Sequence, residues 1–373
     1  MTARVIGMDA RPFLSTRTGV ERYAAHVADG MLDADRSREL LFFADRPPEG
    51  VALPGRVVVV PPKPADRAAP FDLWLARRVG PAARAEGAQV FFSTSSKFPL
   101  GSIPSIATIH GMEWWRCPEA YGCGQRLRQN AWMRIALRRA ARLVCFASST
   151  VDDIGAFRGQ AAERVRIASE AAAPHFRPLD QVPPDPQVGA DPFLLVVGTL
   201  EPRKNVDGVL RAYGRAVRAV PSLPRLVVAG QAARQSDRLR NVVEAENLVE
   251  RVDFLGYVSD PRLVALLNRA RALLFLSLYE GFGLPILEAM ACGTPVVTSD
   301  RSSMPEVAGG AALLTDPTEP DAMADAIMRV CTDDALVTDL SRRGRLRAND
   351  FSWRRAGSEI LDILDEALTD AAA

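Results

Sequence analysis

Two glutamates, Glu280 and Glu288, stand with seven residues between them in Ser277-Leu278-Tyr279-Glu280-Gly281-Phe282-Gly283-Leu284-Pro285-Ile286-Leu287-Glu288-Ala289-Met290. A carboxylate accepts hydrogen bonds from the hydroxyls of a sugar or a ribose. Gly281 and Gly283 lie in the loop between them, and Pro285 suits the first turn of a helix, where its missing N–H costs nothing. The apolar run Ala272 to Leu276 that leads in reads as a buried parallel strand, and Gly293 reads as the stop of a short helix. Strand, glycine loop and helix N-terminus together present free N–H groups and a positive dipole end to an anion. The chemistry indicated is recognition of a molecule that carries both phosphates and hydroxyls.

Other candidates follow strand-like runs. Val197-Gly198-Thr199-Leu200-Glu201-Pro202-Arg203-Lys204-Asn205 places two adjacent cations after one such run. Arg suits phosphate oxygens by bidentate contact and Lys as a point charge, and Asn205 is placed to cap the next helix. A solvated loop would explain the pair alone, but its predicted place at the same sheet edge as Glu280 favours phosphate. In the first loop, Arg11 to Glu21, residues Thr16, Thr18 and Gly19 could bring N–H groups to a second phosphate-facing position; a plain surface turn competes with that reading. His110, in Thr108-Ile109-His110-Gly111-Met112, falls at a strand end, whereas His26 falls in a helix and His175 in an irregular stretch. Tyr257 and Val258 end the strand of Val252–Ser259, where exposed backbone could meet a base edge, or simply a strand end. Arginines alternate with Trp132, Met133, Ile135 and Leu137 from Arg126 to Arg142. The plainer reading is a sheet-covering helix with a solvated Arg face; the other is a helix lying on an anionic membrane.

The elements that must position these residues alternate between two periods. Strands are expected at Arg4–Met8, Leu40–Ala44, Val57–Val60, Val90–Ser93, Ser105–His110, Leu143–Ala147 and Val165–Ala168. Helical stretches such as Gly19–Leu32, Phe71–Ala85 and Gln125–Ala141 lie between them. Pro178 to Pro192 has no periodicity and reads as a linker. The alternation then restarts, with strands at Phe193–Val197, Arg225–Ala229, Val252–Leu255, Ala272–Leu276, Pro295–Ser299 and Ala311–Leu314. Helices include Asp207–Val220 and Pro261–Arg269, and the end is helical over Asp321–Cys331, Asp334–Ala348 and Ser352–Leu368, with Ser352 as a cap. The fold class predicted is α/β: two doubly wound domains, with ligands beyond the carboxyl ends of their strands and an interdomain cleft where those edges face.

Composition excludes several classes. The 373 residues carry a formal net charge of +1, so bulk charge gives no case for nucleic acid. Cys117, Cys123, Cys145, Cys292 and Cys331 form no C-x-x-C pair, and Cys145 and Cys292 read as small core residues. No apolar run approaches the ~20 residues of a membrane span, and the chain starts without a signal pattern. A cytoplasmic protein is expected, soluble or peripheral on the inner face of the cytoplasmic membrane.

With E-G-F-G-L-P-x-x-E-A-M-A-C-G-x-P-V-V and V-G-T-L-E-P-R-K-N, the chain resembles the retaining glycosyltransferases of family 4. The opening D-A-R-P and T-G-V-E-R-Y, His110 and Phe351–Trp353 extend the resemblance over most of its length. The resemblance implies the GT-B fold: two Rossmann-like doubly wound domains, an acceptor-side domain over 1–182 and a nucleotide-sugar domain over 190–350, with a last helix, about 352–373, packed back on the first. It implies that Glu280 holds donor-sugar hydroxyls and Glu288 the ribose. The backbone at Phe282, Gly283 and Leu284 would face sugar and diphosphate, with Arg203 and Lys204 on the diphosphate. His110 would approach the donor sugar, Gly19 the phosphates, and Tyr257 and Val258 the base. Two departures matter: Glu21 stands where a second glycine is common, and Gly111 where Asp often follows the His.

The chemistry implied is transfer of a hexose from a nucleotide-sugar donor to a hydroxyl of a glycan or lipid-linked acceptor, by front-face attack with retention. No cofactor or metal is expected, since Arg203, Lys204 and loop N–H groups would take the leaving-group charge and no D-x-D follows a strand; Asp152-Asp153 and Asp333-Asp334 read as helical surface. The general look of D-A-R-P and T-G-V-E-R-Y suggests mannose from GDP-mannose, with UDP- and dTDP-sugars open. A nucleotide-sugar epimerase of the same architecture and a two-lobed sugar-binding protein are the alternatives.

Overall fold

The computed structural model describes the whole chain except residues 1, 3, 15–18, 49–50, 64–65, 67–71, 102, 159–161, 232–235 and 373. Thr16 and Thr18, and the expected helix start at Phe71, therefore lie outside the described residues. The chain divides into two compact units, Met1–Glu170 with Ser352–Ala373, and Ala171–Phe351.

The first unit is built on a seven-stranded sheet, β1 (Val5–Asp9), β2 (Glu39–Ala44), β3 (Arg56–Val59), β4 (Val90–Ser93), β5 (Ser105–Thr108), β6 (Arg142–Cys145) and β7 (Val165–Ile167), in the order β3-β2-β1-β4-β5-β6-β7. All pairings are parallel. Parallel strands need crossovers, and the crossover helices cover both faces, so central strands such as β2 and β4 read as continuous apolar runs. The helix expected to end at Ala85 is not uniform: a π-helical turn, Leu75–Val79, precedes an α-helix, Gly80–Ala85. Pro81 has no N–H to donate, which disturbs the regular ladder at that junction.

The last helix, Trp353–Ala372, packs in this unit against Gly19–Ala34. Two glycines set that crossing. A Cβ on Gly30 would lie 2.1 Å from the Trp353 carbonyl oxygen, and one on Gly357 would lie 2.1 Å from the Gly30 carbonyl carbon. Ser352 caps the helix, its Oγ accepting from the Arg355 N–H at 3.2 Å.

The second unit repeats the plan with six strands, β8 (Phe193–Val197), β9 (Arg225–Ala229), β10 (Val252–Gly256), β11 (Ala272–Phe275), β12 (Val296–Ser299) and β13 (Leu313–Thr315), ordered β10-β9-β8-β11-β12-β13 and all parallel. The amphipathic helices Val206–Ala219 and Pro320–Thr332 bury their apolar stripes on one face.

Two expectations are corrected, the linker and the surface position of Asp153. The proline-rich stretch is not a free linker: the division falls after Glu170, and the segment is tied to the second unit. Asn268 accepts from the Leu179 N–H and donates to the Arg177 carbonyl, Arg262 forks onto Asp185, and Arg269 donates to the Val182 carbonyl. Asp153 is not helical surface but 4% exposed and paired with Arg116, since a buried carboxylate needs a cation. Asp333 is exposed but does local work, its carboxylate capping the Asp334–Ala348 helix at the Leu336 N–H, 2.9 Å. Cys145 and Cys292 are free and buried, and burial pushes the Cys292 thiol up to about 12.

Candidate active site

The second sheet reverses direction between β8 and β11, because the chain runs outward through β9 and β10 and returns to the other side of β8. Ligands of doubly wound sheets sit at that switch point, beyond the strand carboxyl ends. Both motifs arrive there. The loop after β8 carries Arg203 and Lys204, the loop after β11 carries Glu280, and the Leu278 N–H donates to the Arg203 carbonyl at 2.7 Å.

The side chains form a buried ionic cluster. Lys204 Nζ lies 2.6 Å from Glu280 Oε1, and Arg203 Nη1 lies 2.8 Å from Glu280 Oε2. Arg203 also meets Glu201 through Nε at 3.1 Å. Glu280 is 6% exposed. Burial by itself would raise its pKa, but Lys204 and Arg203 override that and hold it at about 2. Burial lowers the Lys204 pKa, and Glu280 opposes the shift. The ammonium stands 4.8 Å above the Phe275 ring and lies against Gly198, where a Cβ would sit 3.4 Å from Lys204 Cε. The two cations therefore keep Glu280 ionised at neutral pH.

Asn205 sits at the N-cap of its helix in a left-handed conformation (φ 55), yet its side chain makes no cap hydrogen bond. Its amide instead donates to the carbonyls of Leu276 (3.2 Å) and Pro317 (2.8 Å), fastening the β8 loop to the end of β11. That corrects the expected capping role.

Beyond Glu280 the backbone turns through Gly283 (φ 106) into Leu284–Cys292, which ends at Gly293 (φ 81). In its first turn Pro285 has no N–H, and the Ile286 N–H donates to the Gly283 carbonyl at 2.9 Å. Glu288 is on this helix, 3% exposed. Phe282 is 4% exposed and meets Phe351 edge-on at 5.9 Å.

A belt of serines that the sequence reading missed fixes this loop. Ser302 Oγ donates to the Glu280 carbonyl (2.5 Å) and accepts from its N–H (3.2 Å). Ser303, fully buried, faces the carbonyls of Glu280 (3.0 Å) and Phe282 (2.6 Å), and Ser299 donates to Ser277 at 2.6 Å. Ser302 holds a left-handed φ of 56, which costs a non-glycine residue about 1 kcal/mol, so these bonds offset local strain. The available signal was a pair of adjacent serines just past β12, the strand beside β11.

Tyr257 and Val258 follow β10, three strand positions from β11, roughly 14 Å across the sheet. Tyr257 is 64% exposed, beyond the left-handed turn at Gly256 (φ 67).

In the first unit His110 follows β5 and is tied to the end of β4, its Nε2 lying 2.8 Å from the Thr94 carbonyl. A carbonyl only accepts, so Nε2 carries the hydrogen and Nδ1 keeps its lone pair. Burial pushes the ring pKa down to about 4, so the imidazole is neutral. Tyr23 (5.2 Å) and Phe146 (5.0 Å) pack edge-on against it, which gives T-G-V-E-R-Y a supporting role that its pattern did not reveal. Gly19 begins the first helix, and among the described residues nothing lies within 4 Å of where its Cβ would be. The D-A-R-P residues form their own cluster, with Arg11 bridging Asp9 (2.6 Å) and Asp72 (2.8 Å) above Trp74.

Known proteins share this organisation. Residues 17–170 match Glycosyltransferase Family 4, and residues 183–347 match Glycosyl transferases group 1. O-antigen chain mannosyltransferase B of Escherichia coli is 30% identical over 263 residues, 69% of this chain and 69% of its own. The serotype-specific mannosyltransferase WbdA of Escherichia coli is 29% identical over 272 residues, 70% of this chain but 33% of its own length. Sucrose-phosphate synthase from Thermosynechococcus elongatus, at 19% identity, superposes with a TM-score of 0.74 over 99% of this chain and 100% of its own, which shows the shared GT-B fold. With paired family matches, a mannosyltransferase relative over two thirds of both chains and a Glu280–Arg203–Lys204 cluster at the switch point, the chain belongs to the family 4 glycosyltransferases.

Proposed function

We propose that this glycosyltransferase moves mannose from GDP-mannose to a hydroxyl of a glycan or lipid-linked glycan, with retention of anomeric configuration and without a metal. The observation that carries the site assignment is the anionic Glu280 gripped by Arg203 and Lys204 at the head of the second sheet. The names of the two Escherichia coli relatives support mannose and a polysaccharide acceptor.

In the proposed reaction the bond from the anomeric carbon to the diphosphate breaks, and a bond from that carbon to the acceptor oxygen forms on the same face. The acceptor proton passes to a diphosphate oxygen. Arg203, Lys204 and the N–H groups at Phe282, Gly283 and Leu284 stabilise the negative charge that develops on the leaving group. Glu280 accepts hydrogen bonds from sugar hydroxyls, Glu288 from the ribose, and neutral His110 from a sugar hydroxyl through Nδ1. Tyr257 and Val258 border the base, and Gly19 marks the loop of the first unit that faces the phosphates. Glu280 is a weak candidate for a covalent nucleophile, because two cations already hold its two oxygens.

A panel of GDP-, UDP- and dTDP-sugars, incubated with and without a mannose-terminated oligosaccharide and with and without EDTA, tests the reading. Release of GDP that depends on both GDP-mannose and acceptor supports it. Turnover of a UDP- or dTDP-sugar instead, conversion of a nucleotide sugar without acceptor, or loss of activity in EDTA would each overturn the part it addresses.

A further inference from the structure

The helix Leu284–Cys292, which carries Glu288, is braced along one side by the helix Asp334–Ala348, which carries none of the residues assigned to the reaction. The register between them runs antiparallel. Ser341 Oγ donates to the Gly293 carbonyl at 2.7 Å, at the far end of the Glu288 helix. One turn on, Gly344 admits Met290, whose Cγ would lie 3.1 Å from a Cβ at that glycine. Past the end of the brace, Phe351 meets Phe282, just before the Glu288 helix begins. Arg347 stands one further turn beyond Gly344, so Ser341, Gly344 and Arg347 share one face.

Arg347 is the point where this brace reaches the serines that hold the Glu280 loop. Ser302 and Ser303 lead directly into a short helix, Met304–Ala308. A helix so short leaves its last carbonyls without partners in its own ladder. Arg347 takes two of them, Nε donating to the Val307 carbonyl at 3.0 Å and Nη2 to the Glu306 carbonyl at 2.7 Å. Gly309, left-handed at φ 54, lets the guanidinium in, since a Cβ there would lie 2.4 Å from Arg347 Nε. The same guanidinium lies 4.6 Å from the centre of the Phe351 ring, and its Nη1 pairs with Asp350 at 2.9 Å.

These contacts close a circuit around Phe282. Ser303 donates to its carbonyl at 2.6 Å, and Phe351 holds its ring. Ser303 is joined by the chain to Met304–Ala308, that helix to Arg347, and Arg347 to Phe351. A surface ion pair would need only Asp350. Arg347 instead uses its planar fork on two carbonyls and its face on a ring, work that a lysine ammonium does not reproduce.

We propose that Arg347 is a positioning residue for sugar transfer: acting through Phe351 and Phe282, it holds the N–H groups at Phe282, Gly283 and Leu284 where charge develops on the leaving diphosphate. Donors fixed in advance need no reorganisation as the bond breaks. The catalytic consequence rests on the role given to those N–H groups under the proposed function; the structural consequence rests on the contacts alone.

The test compares Arg347→Lys, Phe351→Leu and Phe351→Tyr with the wild type, by hydrogen–deuterium exchange and by steady-state kinetics on the nucleotide sugar that the wild type turns over. Arg347→Lys keeps the charge and loses the fork, so the peptide over Gly281–Leu284 should exchange faster while that over Ala272–Phe275 is unchanged. Its kcat should fall on the order of tenfold to a hundredfold with the donor KM little changed, the split expected when an interaction made only in the transition state is lost. Phe351→Leu should behave alike, and Phe351→Tyr, which keeps the ring, should stay at wild-type values. Wild-type exchange of the loop in both Arg347→Lys and Phe351→Leu would overturn the proposal, whether or not a sugar is transferred. Faster loop exchange with an unchanged kcat, or a raised donor KM at constant kcat, would overturn the positioning role while leaving the donor assignment standing. A wild type that turns over no nucleotide sugar would sink that assignment, and the exchange rates would then decide the circuit by themselves.

Discussion

Replacing Glu280 by alanine separates the structural work of that residue from its chemical work. The side chain is buried and joined to Lys204 at 2.6 Å and Arg203 at 2.8 Å, and those cations are themselves mostly buried. Deleting one partner of a buried ion pair costs about 3–5 kcal/mol, because the other charge is left desolvated. Arg203 keeps Glu201, so the lower end, about 3 kcal/mol, applies. For a unit the size of Ala171–Phe351 each kcal/mol moves the melting temperature by about 2–4 °C, so a fall of about 6–12 °C is expected at pH 7. The pH dependence has a definite sign. Glu280 is held near 2, below the ordinary carboxylate value of about 4.3, so its contribution is complete above that value and is lost as pH falls through 2. Lys204 is already shifted down, and without Glu280 it shifts further, so the variant regains stability as pH rises toward the ordinary lysine value of about 10.4. The gap between variant and wild type is therefore widest between about pH 5 and 8. Because Glu280 is assigned to the sugar and the cations to the diphosphate, GDP should supply the missing anion and raise the melting temperature of the variant more than that of the wild type. Differential scanning fluorimetry across pH, with and without GDP, reads all of this. A variant that melts within 1 °C of wild type at pH 7, or one that GDP stabilises less than wild type, would refute the reasoning.

Two further outcomes follow from the same geometry. Ser303→Ala removes the hydroxyl that faces the Glu280 and Phe282 carbonyls, so transfer should fall by tenfold or more through kcat, with a stability loss of about 1–2 kcal/mol; an unchanged kcat in steady-state kinetics would show that the loop does not need this anchor. His110 is held near 4 by burial, below its ordinary 6.5, so its contribution to stability is complete above 6.5 and falls as pH drops toward 4, while kcat/KM should show no imidazole titration between pH 5.5 and 8; an inflection near 6.5 that disappears in His110→Gln would contradict the neutral assignment.

The strands were legible because their apolar runs are buried on both faces, as in Leu40–Ala44 and Ala272–Phe275, and such runs have few other homes. The Glu280 loop was legible because Gly283, Pro285 and Gly293 each meet a backbone demand that few other residues satisfy. What escaped depends on partners distant in sequence. Asn205 looks like a cap until the carbonyls of Leu276 and Pro317 are brought to it. Proline content marked 178–192 as a linker, but Asn268, Arg262 and Arg269, far along the chain, decide that it stays with the second unit. Ser302 and Ser303 resemble any polar turn, and Asp153 any helical surface, until the Glu280 loop and Arg116 are folded against them.

Retaining mannosyl transfer at the Glu280 site is measured most directly by the anomeric configuration of the product made by the purified chain from GDP-α-mannose and a mannose-terminated acceptor, read from the one-bond carbon–hydrogen coupling by NMR. A new α-linkage with one GDP released per linkage is expected, and neither product in Glu280→Ala. A β-linkage, or α-mannosyl transfer undiminished in Glu280→Ala, would contradict it.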